Sequence, residues 1–259
     1  MTELVALQAI PGTIQIVPGQ TFRELDPERA AQWLRTGLAK VPDMPNSRGW
    51  NGLRWDGATV AILASGESLS AEQCAAVKAW RDRDPILRKA IAINTSFRRA
   101  PWADVIYACD SQWWNAVDKG HVLTHIEEAR AECLGELWTQ DDEAARKHGV
   151  KLIRSDRGKG LSRVPGRINQ GMSSGYQAIG LAWQAGAVAA LLLGYDNRGG
   201  HWHGAHPKGL EKTNPYATWA KNLGELAADC KGAGFAVTNC TPGSALKMFH
   251  VEPWQEVFA

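Results

Sequence analysis

The sequence predicts an α/β protein whose main domain is a doubly wound, mostly parallel sheet. From residue 56 onwards, short apolar runs alternate with helical stretches, which is the order expected of parallel strands joined by helices. The apolar runs are continuous rather than alternating, as in strands buried on both faces. Several of them end in glycine or small polar residues. We therefore predict a Rossmann-like domain over residues 56–259.

The first 42 residues have a different pattern and are predicted to form a small β-rich module. Strand-like runs occur at 5–7 and 13–17, and a short helix is predicted from Asp26, as its N-cap, to Leu34. Residues 43–55 are rich in Pro, Asn, Ser and Gly and are predicted to be a linker. A unit of about 40 residues buries a marginal core, so we expect the module to pack against the main domain or a partner.

The main domain is predicted element by element from its periodicity and its caps. Ser70 is the predicted cap of one helix. Met172-Ser173-Ser174-Gly175 is the predicted start of another, and Gly186 is expected to end that second helix. Strands are predicted at 59–64, 90–93, 105–108, 150–153, 187–193 and 236–238; helices are predicted at 70–80, 118–135, 141–148, 176–184 and 218–231; a polar loop is predicted at 154–169.

Composition excludes several classes of protein. Of the 259 residues, 44% are hydrophobic and 22% are charged, which is typical of globular proteins. The net charge of +2 comes without a concentrated basic stripe, so we expect no nucleic-acid partner. Five cysteines without a CxxC pair favour reduced thiols. We read no signal peptide and no membrane-spanning run, and expect a cytoplasmic or virion protein.

Polar residues follow four of the predicted strands and predict a cleft. A parallel sheet gathers the carboxyl ends of its strands at one edge, where ligands bind. A helix start beside this edge would favour a phosphate. The predicted ligand-binding residues are Gly66, Ser68, Asn94, Asp110, Ser173, Ser174 and Gly175. The alternative is that Ser174 only caps a helix and that Asp196, at the end of the fourth strand, only caps a turn.

Three histidines follow Asp196 as H-x-H-x-x-H: His201, His203 and His206. A neutral histidine is suited to act as a general base, and a protonated one to offset the charge of a leaving diphosphate. Together with Asp196 the histidines are also suited to hold a divalent metal. The remaining interpretation is a loop whose histidines only bond to the backbone. Asp110 is open between a ribose or metal contact and a turn residue. The pair Trp113-Trp114 is open between base stacking and buried helix surface.

Several of these motifs, in this order and spacing, resemble one superfamily. They are the Gly66-x-Ser68-Leu69 turn, Asn94, Met172-Ser173-Ser174-Gly175, Gly194-Tyr195-Asp196, and the segment NCTPGSAL at 239–246. Residues 58–249 are similar to the 6-hydroxymethylpterin diphosphokinase-like proteins and the bacterial CMP-sialic-acid-dependent sialyltransferases. The loop from His201 to Pro207 and the N-terminal module resemble phage and prophage proteins of unassigned role.

The resemblance implies a nucleotide-dependent transferase encoded by a phage. Gly66, Ser68, Asn94, Ser174 and Gly175 would contact the nucleotide, and the tyrosines of the sialyltransferases after Asp196 are absent. We expect a nucleotide or nucleotide-sugar donor, with Mg²⁺ as a further candidate cofactor, and catalytic roles for Asp196 and the three histidines. The alternative is a non-catalytic virion or assembly module that docks to a phage structural protein through its N-terminal module. Homo-oligomerisation is left open.

Overall fold

The computed structural model of the protein describes residues 2–6, 21–24, 29, 32–33, 39–40, 46–205, 210 and 215–259. Near the N-terminus, strand β1 (Thr2–Ala6) pairs antiparallel with β2 (Thr21–Glu24) and β3 (Ala39–Lys40). The predicted strand at 13–17 lies outside the described residues. Of the predicted N-terminal helix, residues 29, 32 and 33 are described, and they are helical.

A parallel sheet of eight strands forms the main domain. Its strands are β4 (Thr59–Leu63), β5 (Arg88–Ile93), β6 (Val105–Tyr107), β7 (Glu136–Thr139), β8 (Lys151–Leu152), β11 (Ala189–Leu193), β12 (Ala236–Asn239) and β13 (His250–Val251). A separate parallel pair consists of β9 (Arg154–Asp156) and β10 (Arg167–Asn169).

The strand order places a topological switch point at the centre of the sheet. The order is β13-β12-β11-β4-β5-β6-β7-β8, and every neighbouring pair is parallel. The chain starts at β4, moves outwards to β8, and returns to β11 on the other side of β4. Ligands of open α/β sheets bind where the strand order reverses in this way, outside the carboxyl ends of the strands.

Helices cover both faces of the sheet. They are α1 (Ala71–Arg83), α2 (Ser111–Asn115), α3 (His125–Glu132), α4 (Asp142–His148), α5 (Ser174–Gln184), α6 (Tyr216–Gly232) and α7 (Trp254–Val257), with a 3₁₀ turn at Asn94–Arg98. Val60 and Ile62 of β4 belong to a core shared with α5 and α6. Ala61 and Leu63 belong to a second core with α1. This alternation confirms the predicted doubly wound α/β fold.

The predicted N-cap of α1 is confirmed, and so are the predicted start and end of α5, although the N-cap of α5 is Ser173 and not Ser174. Ser70 accepts a hydrogen bond from the Gln73 amide at 3.1 Å, and the Gln73 side chain accepts one from the Ser70 amide at 2.8 Å. Ser173 caps α5, and Gly186, just beyond that helix, has a φ of +92° that glycine adopts without strain. Hydrogen bonds to the capping serines therefore fix the starts of α1 and α5, and a left-handed glycine follows the end of α5.

Two predictions about the middle of the chain are wrong. The helix predicted at 118–135 is confined to His125–Glu132, because a capping box of Thr124 and Glu127 starts it late. The residues that follow form β7, which the sequence prediction omits. The loop predicted at 154–169 contains β9 and β10, which pair from Arg154 opposite Arg167 onwards.

Gly224 lies within α6 and offers a stabilising substitution. A Cβ at this position would meet no atom within 4 Å. We expect Gly224→Ala to raise the free energy of unfolding by about 1 kcal/mol, because alanine loses less backbone entropy in a helix. The melting temperature should rise by about 2–4 °C. Gly135→Ala should do the opposite, since its Cβ would lie 2.0 Å from the Ala103 carbonyl oxygen. Calorimetric unfolding of both variants tests the pair.

Candidate functional site

A cavity of about 240 Å³ lies at the carboxyl edge of the sheet, over the ends of β11, β4, β5 and β6. Its lining includes eight of the eleven predicted binding and catalytic residues: Gly66, Asn94, Asp110, Ser173, Ser174, Gly175, Asp196 and His201. These residues come from five separate segments of the chain. The parallel order of the sheet brings the segments together, as the pattern of polar strand ends predicts.

The N-terminus of α5 faces this cavity. Ser173 is the N-cap, and its hydroxyl accepts a hydrogen bond from the Tyr176 amide at 3.2 Å. The amides of Ser174 and Gly175 occupy the first two helical positions, where no intrahelical acceptor exists. The hydroxyl of Ser174 lies 3.5 Å from Oδ1 of Asn94. The positive end of a helix dipole therefore meets the polar ends of the strands, an arrangement that favours an anion.

Asp196 is buried and is held by the turn after β4. Its Oδ1 accepts a hydrogen bond from the Ser68 amide at 3.3 Å, and its Oδ2 accepts one from the Ser68 hydroxyl at 2.9 Å. A Cβ on Gly66 would lie 1.9 Å from Oδ2 of Asp196 and 2.4 Å from the Gly194 carbonyl oxygen. Ser68 supports Asp196 and does not itself line the cavity. The predicted contact of Ser68 with a nucleotide stays a prediction.

Burial raises the pKa of the Asp196 carboxyl above its ordinary value of 3.8, against the hydrogen bonds from Ser68 that lower it. The folded state thus holds this proton more tightly than the unfolded state. The resulting stabilisation is complete below pH 3.8 and is lost as the pH rises through the folded-state pKa. We expect the stability of Asp196→Asn, which keeps the shape of the side chain, to rise relative to that of the wild type as the pH increases from 3.8 through the folded-state pKa of Asp196. Urea unfolding at several pH values measures this; a constant difference would contradict it.

The histidine loop returns over the cavity. Gly66 and His201 form an isolated antiparallel bridge, and Nδ1 of His201 lies 3.2 Å from the Ser65 carbonyl oxygen. Burial lowers the pKa of His201 below its usual 6.5, so the ring is neutral at pH 7. With Nδ1–H donating to the carbonyl, the lone pair resides on Nε2. His203 stacks on His201 at 5.2 Å between ring centroids and does not line the cavity; His206 lies outside the described residues.

Three residues around the cavity have left-handed backbone conformations. They are Asn94 (φ 50°), Met172 (φ 65°) and Asn197 (φ 52°), and all three line the cavity. No other non-glycine residue in the described part of the chain has a positive φ. Such conformations cost of order 1–3 kcal/mol each and persist where the surrounding structure fixes them, as at binding sites.

Residues 239–246 hold the backbone of Tyr195 and Asp196 through hydrogen bonds. The Ser244 hydroxyl donates to the Tyr195 carbonyl oxygen at 2.6 Å, and the Tyr195 amide donates to the Thr241 hydroxyl at 3.0 Å. The Ala245 amide donates to the Asp196 carbonyl oxygen at 2.9 Å. These bonds fix the backbone that carries Asp196 into the cavity.

Aromatic residues at the start of α6 form one wall of the cavity. Tyr216 and Trp219, on the first turn of α6, line the cavity together with Leu223, one turn further along the helix. The sequence singles out Trp219, which lies near polar residues, as a candidate to line a cleft, and places it with Leu223 on one face of the predicted helix. Tyr216 is not singled out, since the same spacing equally indicates an ordinary buried helix face. Of the tryptophan pair, Trp114 is fully buried, whereas Trp113 is buried but contributes to the lining.

Thiol and metal chemistry receive little support at this site. Burial raises the pKa of Cys109, which lines the cavity, to about 12, so it carries no thiolate at neutral pH. All five cysteines are free. Within the described ranges, which exclude His206, no group of three His, Cys, Asp or Glu is arranged to hold a metal ion.

Over the same ranges, no helix is both long and apolar enough to cross a bilayer.

The fold and the cavity together define a Rossmann-like α/β protein with a candidate binding site at its switch point. Comparison with known proteins finds no match to a family model, to a curated protein or to a solved structure, so the resemblance given for residues 58–249 stays an expectation.

Proposed function

We propose that this protein is a nucleotide-dependent transferase that moves a glycosyl or diphosphoryl group from a nucleotide donor to a hydroxyl acceptor. One observation carries the proposal: the start of α5 meets four polar strand ends at the switch point of a parallel sheet. Amides, serine hydroxyls and the helix dipole there suit phosphate. Side chains on the neighbouring strand ends suit sugar hydroxyls.

The donor phosphates lie against the amides of Ser174 and Gly175 in this proposal. Arg198 also lines the cavity, and its guanidinium is the cation placed to offset charge on a leaving diphosphate. Asp110 occupies the N-cap position of α2, but its side chain does not cap that helix. Its carboxylate lines the cavity and is the group suited to a ribose hydroxyl or to a donor-bound Mg²⁺.

His201 is the proposed general base. Its neutral ring contributes to the cavity lining, and Nε2, a buried atom, is the nitrogen that would take the proton of an attacking hydroxyl. Asp196 is assigned a positioning role, because both of its carboxylate oxygens are engaged by Ser68. The proposed base, His201, and the amides of Ser174 and Gly175 that would hold the phosphate thus come from different segments around one cavity.

Isothermal titration calorimetry with CMP, UDP, ATP and pyrophosphate, each with and without Mg²⁺, tests the proposal. We expect at least one nucleotide to bind with a dissociation constant of about 1 mM or tighter, and pyrophosphate to compete with it. Absence of binding by every nucleotide would overturn the proposal.

A second measurement separates a transferase from a binding module. The wild type should slowly release nucleotide from a donor that carries the nucleotide found to bind. The rate of this release should fall about 100-fold or more in His201→Gln, while the affinity for the nucleotide is retained. Equal release by the wild type and the variant would argue against His201 as the base.

A further inference from the structure

The aromatic wall of the cavity has no role in the phosphate chemistry described above. Tyr216 and Trp219 stand at 5.6 Å between ring centroids, edge to face, on the first turn of α6. Trp219 is half-buried, and the apolar side chains of Leu223 and Leu246 line the cavity beside it. A wall of this kind is suited to a flat ring rather than to a phosphate.

Both rings are fixed by hydrogen bonds to the loops that line the cavity. Nε1 of Trp219 donates to the Met172 carbonyl oxygen at 2.9 Å, and the Tyr216 hydroxyl donates to the Gly199 carbonyl oxygen at 2.5 Å. The side chain of Asn197 donates to the Tyr216 carbonyl oxygen at 3.2 Å. The wall is therefore preorganised, which reduces the entropy lost when a ligand stacks on it.

The aromatic wall also adjoins the amides of Ser174 and Gly175, where the phosphate lies in the proposed function. Met172, whose carbonyl accepts the bond from Trp219, immediately precedes the N-cap Ser173. The indole edge is thus one residue away from the helix N-terminus that faces the cavity. A ribose is the natural bridge between a ring stacked on the wall and a phosphate at that terminus.

We infer that Trp219 and Tyr216 form the nucleobase subsite, so that the ligand class is a nucleoside 5′-phosphate whose base stacks on this wall. The inference rests on the proposed function, since it assigns the other half of the same ligand. Stacking on an aromatic face tolerates every base, so the subsite selects for a base without selecting strongly among bases.

Calorimetry on Trp219→Leu tests the inference with two probes: pyrophosphate, and whichever of CMP, UDP and ATP binds the wild type most tightly. We expect nucleotide affinity to fall about 10-fold to 100-fold, and pyrophosphate affinity to change by less than about threefold. Trp219→Phe keeps an aromatic face but removes the donor to Met172, and should retain most of the nucleotide affinity. Trp254→Leu is the matched control. Trp254 lies in α7 and packs against the core that β4 shares with α1, so this substitution should leave both affinities unchanged.

Each contrary outcome has a distinct meaning. Nucleotide binding that survives Trp219→Leu overturns the subsite and leaves the proposed function standing. An equal loss for nucleotide and pyrophosphate, shared by Trp219→Phe, shows that Trp219 acts only by holding Met172, and also overturns the subsite. Failure of the wild type to bind any nucleotide overturns the proposed function and this inference together.

Discussion

Ser173→Asp is expected to abolish nucleotide binding while leaving the fold intact. Aspartate caps a helix about as well as serine, and its charge interacts favourably with the helix N-terminus. The same charge would stand where a phosphate approaches the amides of Ser174 and Gly175. Two like charges about 4 Å apart repel by up to about 4 kcal/mol near a protein surface. We therefore expect nucleotide affinity to fall at least about 100-fold.

Ser173→Asn is the matched neutral control for this substitution. Asparagine is an equally good cap and adds no charge, so it should keep nucleotide affinity within about fivefold of the wild type. Calorimetry measures both affinities, and thermal unfolding should give melting temperatures within about 2 °C for all three proteins. Equal affinities of Ser173→Asp and Ser173→Asn would place the phosphate elsewhere and remove the helix N-terminus from the site.

Most of the sheet could be predicted from the sequence because its strands are buried on both faces. Continuous apolar runs such as Thr59–Leu63 and Ala189–Leu193 have few alternatives in a chain of this composition. The convergence of their ends then follows from parallel pairing alone. Asn94, Asp110 and Asp196 are separated by up to about a hundred positions in sequence, yet line one cavity.

The elements that the sequence did not predict are short or lie at an edge. β7 and β13 have few residues and pair on the outer part of the sheet, where partial exposure breaks the continuous apolar pattern. β9 and β10 are three residues each, and all three residues of β9 are polar. Local propensity cannot separate such segments from loops, because only their tertiary pairing defines them.

Within the site, residue type was predictable but the reason for it was not always so. The sequence predicts Gly66 as part of a phosphate-binding turn, which stays a prediction. The structure adds a packing reason for glycine at this position, because Asp196 and Gly194 occupy the space that its Cβ would need. Ser68 is predicted as a ligand contact, and the structure shows in addition that its hydroxyl donates to Asp196. Such packing constraints couple positions 128 residues apart, and a single sequence carries no signal of them.

Gly66→Ala is expected to be the most destabilising single substitution at the site. The added Cβ would overlap both a side-chain oxygen of Asp196, at 1.9 Å, and the backbone oxygen of Gly194, at 2.4 Å. The Asp196 carboxylate can turn away only by giving up its bonds to Ser68, and the Gly194 carbonyl accepts the Gly66 amide at 3.0 Å. We expect a loss of about 3 kcal/mol or more in the free energy of unfolding, and a melting temperature lower by about 10 °C.

The two overlaps can be separated by a double substitution. Gly66→Ala combined with Asp196→Ala removes the overlap with the carboxylate but keeps the one with the Gly194 carbonyl. The double variant should therefore lose less stability than the sum of the single variants, yet stay below the wild type. Gly224→Ala makes the same chemical change where space is open, and should stabilise. Urea unfolding of the four variants measures the coupling. If Gly66→Ala were as stable as the wild type, the close approach of the two loops would not exist, and the site built on it would have to be discarded.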